Sequence, residues 1–227
     1  MMDKSLALEC NFIQLILTIK HITTLITLLF ISLLSSPSWS ETVTMNDLAE
    51  RGGLYYAKFT DVPFTGVVSG LDNGKFKSGK RDGPWKEYWE NGQLKFSSSY
   101  KNGIDHGTFE DYWKNGQLTW KHSYKDGLSE GLSERFSVEG RLISKTNYKN
   151  GKREGLYEYY RENGKLWQKI NYKGGKRDGL ALHYFINGKL LSNSFYKNGQ
   201  RHGIWEFFNE DGSLKETWTF EDGNIVE

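Results

Sequence analysis

The hydrophobic pattern of the chain repeats every 24 residues from residue 79 to residue 222. Three columns of apolar residues recur once in each of six units, without an insertion. The first column is Tyr88, Tyr112, Phe136, Tyr160, Tyr184 and Phe208. The second is Leu94, Leu118, Leu142, Leu166, Leu190 and Leu214. The third is Tyr100, Tyr124, Tyr148, Tyr172, Tyr196 and Phe220. A fixed period of this length indicates tandem structural units that bury apolar surface by stacking on their neighbours.

Glycines divide each unit into two short segments. They begin the six units at Gly79, Gly103, Gly127, Gly151, Gly175 and Gly199. A second column begins at Gly83 and a third at Gly92, each with the same 24-residue spacing. A helix would lose about 3 kcal/mol per unit to three glycines, whereas two aromatic-rich runs around Asn91-Gly92 are typical of a β-hairpin. The sequence therefore predicts an all-β fold, an elongated single-layer antiparallel ribbon of tandem 24-residue hairpins.

The hairpin loop is predicted from its glycine. A two-residue type I′ turn needs positive φ at both central positions, which disfavours Glu139 before Gly140 in the third unit. A three-residue loop closed by a glycine bulge suits all six units and pairs Tyr88 with Leu94. Simple alternation along the second strand then places Tyr88, Leu94 and Tyr100 on one face.

The two ends of the array depart from the repeat. Residues 41–78 break the 24-residue register, and we expect an N-terminal cap and an irregular first hairpin there. Thr44 precedes Met45–Glu50, which predicts one capped helical turn. Residues 223–227 are expected to form a C-terminal tail.

The first forty residues are interpreted as a secretory signal. Ile22–Leu34 is an uncharged apolar run preceded by Lys20, and small residues at Ser38 and Ser40 fit a cleavage site before Glu41. The alternative is an N-terminal membrane anchor from Phe12 to Leu34. Either interpretation places the chain in the export route, with a periplasmic, envelope-associated or secreted location.

The repeat resembles a known family. The pattern G-K-R-x-G-x-W-x-x-Y-x-x-N-G-x-L…Y-x-N-G resembles the MORN-repeat variant of bacteria, and is more closely similar to the YwqK-type proteins, which are labelled antitoxins. The PFTG segment at 63–66 resembles the entry motif of that group. The resemblance implies a hairpin-repeat fold and three roles: a protein-interaction scaffold, a lipid binder or an antitoxin-like neutralising protein.

Composition and motifs favour a protein without an active site. With 30 Lys+Arg and 28 Asp+Glu, the net charge of +2 is not typical of a nucleic-acid binder, and one Cys excludes a disulfide scaffold. His106 and His202 occupy the turn position that is acidic in other units, and His122 and His183 show no ligand spacing. We therefore expect no catalytic residues, no metal, no cofactor and no nucleic-acid partner.

Two groups of residues stand out as candidate binding surfaces. Four aromatic residues of neighbouring units are expected on the face opposite the three apolar columns, as a patch for an unknown protein partner: Trp85, Trp89, Phe109 and Trp113. Basic residues of the inter-unit turns are expected to align as an edge: Lys80, Arg81, Lys152, Arg153, Lys176 and Arg177. The sequence thus predicts an exported, non-enzymatic interaction scaffold, or a protein that binds anionic membrane or polysaccharide through this basic edge.

Overall fold

The computed structural model describes residues 42–226, so the predicted leader over residues 1–40 lies outside the described part of the chain. These residues form short strands and one 3-10 helix, Met45–Asp47. Within residues 42–226, no helix is long and apolar enough to cross a membrane. In chain order the strands are β1 (Thr42–Val43), β2 (Leu48–Arg51), β3 (Leu54–Ala57), β4 (Gly66–Val68), β5 (Asp72–Lys77), β6 (Lys80–Tyr88), β7 (Leu94–Lys101), β8 (Ile104–Asp105), β9 (Gly107–Tyr112), β10 (Leu118–Lys125), β11 (Leu128–Ser129), β12 (Gly131–Phe136), β13 (Leu142–Lys149), β14 (Lys152–Tyr160), β15 (Leu166–Lys173), β16 (Lys176–Tyr184), β17 (Leu190–Lys197), β18 (Gln200–Arg201), β19 (Gly203–Phe208), β20 (Leu214–Glu221) and β21 (Asn224–Ile225).

The strands confirm the predicted antiparallel hairpin array. Nineteen of them form one long sheet, and β2 with β3 forms a separate two-stranded sheet. From β4 onward each long strand pairs with the next long strand of the chain, and the two-residue strands β8, β11 and β18 pair only with the strand before them. The exception to the antiparallel order is β1, which pairs in parallel with β4. Two residues of the predicted C-terminal tail form β21 and pair with β20.

The hairpin loop has the predicted three residues. In the first unit the Trp89 N–H donates to the Gln93 carbonyl at 2.8 Å, and the Gly92 N–H donates to the Trp89 carbonyl at 2.8 Å. Gly92 has a φ of 81°, which only glycine adopts readily, and Tyr88 lies opposite Leu94. The same pair of hydrogen bonds recurs in all six hairpins.

The turns between units connect each hairpin to the one before it. Asn102 and Gly103 form a two-residue turn with φ of 53° and 82°. The Gly103 N–H donates to the carbonyl of Arg81, and the Asn102 N–H donates to the Asp82 carboxylate at 3.0 Å. Asp82, at the turn position that is acidic in most units, therefore caps the turn that follows one hairpin later. His106 fills the same role toward the Asp126 N–H at 3.4 Å.

The predicted facing of the apolar columns is wrong. Tyr88 lies opposite Leu94, but Glu87 lies opposite Phe96, so Lys95 is an extra residue in the second strand. This bulge reverses the alternation on which the prediction depended, and it recurs at the same place in the other units. The first two columns therefore share one face, which we call the back face.

The third column lies on the opposite side of the sheet, which we call the front face. Trp85 is opposite Ser98 in the ladder, and its ring contacts that of Tyr100 at 6.5 Å between centroids. Trp85 and Tyr100 therefore lie together on the front face.

The N-terminal segment covers the first end of the front face. Its core contains Leu48, Phe64, Val68, Phe76 and Trp85, all at most 7% exposed. The predicted helical turn over 45–50 is only partly correct. Thr44 begins a 3-10 turn of three residues, but Leu48–Arg51 is a strand because it pairs with Leu54–Ala57 and carries Leu48 into this core.

Candidate functional site

The front face has a depression in its third unit, residues 127–150. Three small hydroxyl residues form its floor: Ser133 lies opposite Thr146, and Ser144 lies two residues from Thr146 along the same strand, opposite Arg135. At the position of Ser133 the other units carry Trp85, Phe109, Tyr157, Ala181 and Trp205. The small side chains of the third unit leave a groove of about 610 Å³, which we call the central groove.

Aromatic rings form the walls of the central groove. The groove is lined on one side by Trp120 and on the other by Tyr148, Tyr157 and Tyr159. The Trp120 indole N–H donates to the Ser133 hydroxyl at 2.9 Å, and this bond fixes the ring against the floor. Behind the wall, His122 is 2% exposed and stacks on Trp120 with 5.0 Å between ring centroids.

Two arginines and one carboxylate supply the charge of the central groove. The Arg135 guanidinium lies 5.6 Å from the Trp120 ring, and that of Arg153 lies 5.1 Å from the Tyr157 ring. Among residues 42–226, neither arginine forms an ion pair with a carboxylate. Asp111 also lines the groove, and burial raises the pKa of its carboxyl.

A second groove of about 840 Å³ adjoins the first at the hairpin loops, and we call it the tip groove. It shares Ile143 and Tyr159 with the central groove. The Trp167 ring packs against Tyr159 at 5.4 Å, and Val138 and Ile186 are 44% and 65% exposed. The two grooves therefore form one surface, which at the loops combines these apolar groups with the charged side chains of Glu139, Arg141, Arg161 and Glu162.

The four residues of the predicted aromatic patch do not form one exposed surface. Trp85 is 1% exposed in the N-terminal core, so the prediction that it lies on an exposed surface is wrong. Phe109 is half-buried on the front face, stacked on Phe96 at 5.5 Å. Trp113 is 41% exposed and lines the central groove. Trp89 is half-buried next to it, and its indole N–H donates to the Tyr112 carbonyl at 3.2 Å.

The predicted basic edge is likewise divided between the two faces. Neighbouring residues of a strand point to opposite sides, so each Lys-Arg pair separates. The arginines lie over front-face rings, with guanidinium distances of 5.4, 5.3 and 5.2 Å for Arg81 on Tyr100, Arg153 on Tyr172 and Arg177 on Tyr196. The exposed lysines remain at the turns: Lys80, Lys152 and Lys176.

Sequence reasoning missed most of the groove. Trp120, Tyr159 and Arg135 were not among the predicted site residues, and the predicted facing placed Trp120 on the side of the apolar columns. A usable signal was present in the column of Ser133, where Ser133 and Ala181 are small and the other four residues are aromatic. Once the facing is known, a small residue in a mostly bulky front-face column predicts a depression.

The groups in the central groove are suited to binding. Hydroxyls, guanidinium groups and aromatic faces hold a ligand by hydrogen bonds, charge and ring contacts. Within residues 42–226, no three His, Cys, Asp or Glu side chains lie close enough together to hold a metal ion.

Comparison with known proteins identifies the repeat. The MORN repeat variant family matches at residues 81–102, 105–126, 153–173, 177–198 and 201–222. No curated protein matches the chain. The third unit, which holds the floor of the central groove, lies between the second and third matches, although its hairpin has the same register and bulge as the others. Five of the six hairpin units of this chain therefore match the MORN repeat variant family.

Proposed function

We propose that this protein is a non-enzymatic repeat scaffold that binds a segment of another protein in the central groove. The observation that carries the proposal is the floor of Ser133, Ser144 and Thr146, which opens a groove in the one unit that the family comparison leaves unmatched. The fifth unit also carries small residues at these three positions, Ala181, Ser192 and Ser194. It has Gln168 and His183 where the central groove has Trp120 and Arg135, so the side chains around the floor distinguish the third unit.

The side chains around this floor are those that dominate protein interfaces. Trp, Tyr and Arg are enriched among the residues whose truncation costs most binding energy. Trp120, Tyr157, Tyr159, Arg135 and Arg153 provide all three types at one site. The volume of the groove, about 610 Å³, lies in the usual range of ligand-binding sites.

The proposal includes export of the chain. It is supported by the apolar run Ile22–Leu34 and the small residues Ser38 and Ser40 before Glu41. The partner is then a protein of the periplasm, the envelope or the exterior. A processed N-terminus at Glu41, measured by mass spectrometry of the native protein, tests this part separately.

Filling the groove tests the binding function. Ser133→Tyr introduces the residue that the fourth unit already carries at the equivalent Tyr157, so the hairpin is expected to fold. Thr108→Leu is the matched control, because it introduces on the back face the residue that the third unit carries at Leu132. We expect proteins retained from envelope extract by the wild type and the control to be lost from Ser133→Tyr. Equal retention by all three would reject the groove as the binding site.

A second candidate function rests on the lysine turns. Lys149 lies directly opposite Lys152, and Lys173 directly opposite Lys176. Like charges at facing positions repel, and an anionic surface relieves that repulsion. Flotation with anionic liposomes at low and high salt tests peripheral membrane binding, with Lys152→Gln and Lys176→Gln as variants. Flotation that is insensitive to salt and to these variants would exclude the lysine turns.

A further inference from the structure

We propose that the bound segment is an acidic peptide whose Asp or Glu carboxylate lies in the central groove between Arg135 and Arg153, with a neighbouring apolar side chain in the tip groove. This inference rests on the proposed function and specifies the chemistry of its partner.

The first argument is the charge balance of the central groove. Its lining carries the guanidinium groups of Arg135 and Arg153 and the carboxyl of Asp111. Since neither arginine is ion-paired among the described residues, the groove has an excess of one positive charge when Asp111 is ionised. A single carboxylate neutralises this excess. A phosphate dianion would leave a net negative charge next to Asp111.

The second argument is the hydrogen-bonding capacity of the floor. The Ser133 hydroxyl is on a residue that is 8% exposed, and it accepts the indole N–H of Trp120 at 2.9 Å. That bond leaves the hydroxyl hydrogen of Ser133 free to donate, and the half-buried Ser144 lies diagonally next to it on the floor, opposite Arg135. Two hydroxyl donors flanked by two guanidinium groups form a site for an oxyanion, and charge-assisted bonds of this kind are the strong ones.

The third argument is the aliphatic part of the tip groove, which favours a peptide over an acidic polysaccharide. The tip groove continues from the central groove through Tyr159 and Ile143, and it presents the aliphatic side chains of Val138 and Ile186. Val138 and Ile186 fit an apolar amino-acid side chain. The charged residues of the same groove, Glu139, Arg141, Arg161 and Glu162, can bind a peptide or a sugar, so the competition experiment below decides between the two. One segment that carries an acidic residue and an apolar residue satisfies both grooves.

Peptide libraries test this inference. The full chain is applied to three immobilised sets of nonapeptides, with Glu, Gln or phosphoserine fixed at the centre and the other positions randomised. We expect the Glu set to retain the wild type at least about tenfold better than the Gln set, because a charge-assisted hydrogen bond is worth about that factor or more. Arg135→Gln and Arg153→Gln are expected to abolish this preference.

Arg177→Gln is the matched control. Arg177 occupies the same position as Arg153 one unit later and lies over Tyr196 as Arg153 lies over Tyr172, but it does not line the central groove. We expect it to keep the preference for Glu. Thermal melting of each variant shows whether a loss of binding reflects unfolding.

The outcomes separate the two proposals. If no set retains the protein, the proposed peptide-binding function is rejected. If the Glu and Gln sets retain it equally, and Ser133→Tyr prevents this retention, the groove binds peptides but the carboxylate inference is overturned. Stronger retention by phosphoserine would assign the site to phosphate instead. Competition by polygalacturonate, at concentrations where neutral dextran has no effect, would assign it to an acidic polysaccharide.

Discussion

Gly74 lies directly opposite Trp85 in the sheet, and the indole ring occupies the space that a side chain at position 74 would need. A Cβ at Gly74 would lie 2.1 Å from Cε3 of Trp85. The glycine therefore permits the close contact that buries the tryptophan beneath the N-terminal segment.

Gly74→Ala is therefore expected to destabilise the protein by about 1–3 kcal/mol, the usual cost of overpacking a core. Urea denaturation of the wild type and the variant measures this cost. In a Trp85→Leu background the added methyl group meets a smaller side chain, so the same substitution should cost less. An equal cost in both backgrounds would show that the ring is not the cause.

The two tryptophans predicted for one patch should respond differently to truncation. Trp85 is 1% exposed, so Trp85→Ala is expected to cost about 3–5 kcal/mol of unfolding free energy. Trp113 is 41% exposed at the edge of the central groove, and its truncation should change stability by no more than about 0.5 kcal/mol. Parallel urea titrations compare the two, and similar losses would contradict the assignment of Trp85 to the core.

The sequence was sufficient to predict the repeat, the hairpins and the loop, because turn glycines impose local geometry. Gly92 needs positive φ wherever the hairpin forms, and the Tyr88–Leu94 pairing follows from the loop that Gly92 closes. The side of the sheet on which the third apolar column lies was predicted incorrectly for a physical reason. The second strand carries a further bulge beyond the loop, with Lys95 as the extra residue, and a single extra residue sends every later side chain to the other face.

The site was harder to predict than the fold because it depends on the absence of bulky side chains at its floor. Trp113 was recognised as a large exposed aromatic residue, but Ser133 and Ser144 act through their small size. Their effect appears only when Thr146, Ser133 and Tyr157 are known to lie side by side on three adjacent strands. That arrangement depends on register and facing together.

The back face carries an ion-pair ladder whose most buried member is Glu158. Its carboxylate lies 2.7 Å from the Lys145 ammonium and 3.7 Å from that of Lys169, and it accepts the Tyr160 hydroxyl at 3.0 Å. Burial alone would raise the pKa of Glu158, but the hydrogen bonds from Lys145 and Tyr160 outweigh burial, and the pKa is lowered.

Glu158→Gln is expected to cost about 1.5–3 kcal/mol at neutral pH, because it weakens charged hydrogen bonds to a residue that is 8% exposed. Glu134→Gln is the matched control, since Glu134 occupies the same column one unit earlier without an ion pair among the described residues. The stabilisation from Glu158 should be complete above its unfolded pKa of about 4.3 and be lost as pH falls through the lowered folded value. Urea titrations of both variants at neutral and acid pH measure these differences, and equal costs for the two variants would contradict the ladder.

Acid sensitivity should also arise from the buried imidazoles. His122 is 2% exposed, neither of its ring nitrogens has a hydrogen-bond partner within residues 42–226, and burial lowers its pKa. Burial, with a smaller contribution from the charge of Arg177, also lowers the pKa of His183. In both cases the unfolded chain binds a proton more readily than the folded chain does. Stability should therefore decline as pH falls below about 6.5, the pKa of an exposed histidine.

His122→Leu removes one of these two groups and keeps an apolar side chain against Trp120. We expect the variant to lose less stability than the wild type between neutral pH and pH values just below the histidine range, with His183 responsible for the remaining loss. Thermal unfolding across this pH range measures the difference. A wild type and a variant with parallel pH profiles would show that His122 does not titrate on unfolding, which would contradict its burial as a neutral imidazole behind the wall of the central groove.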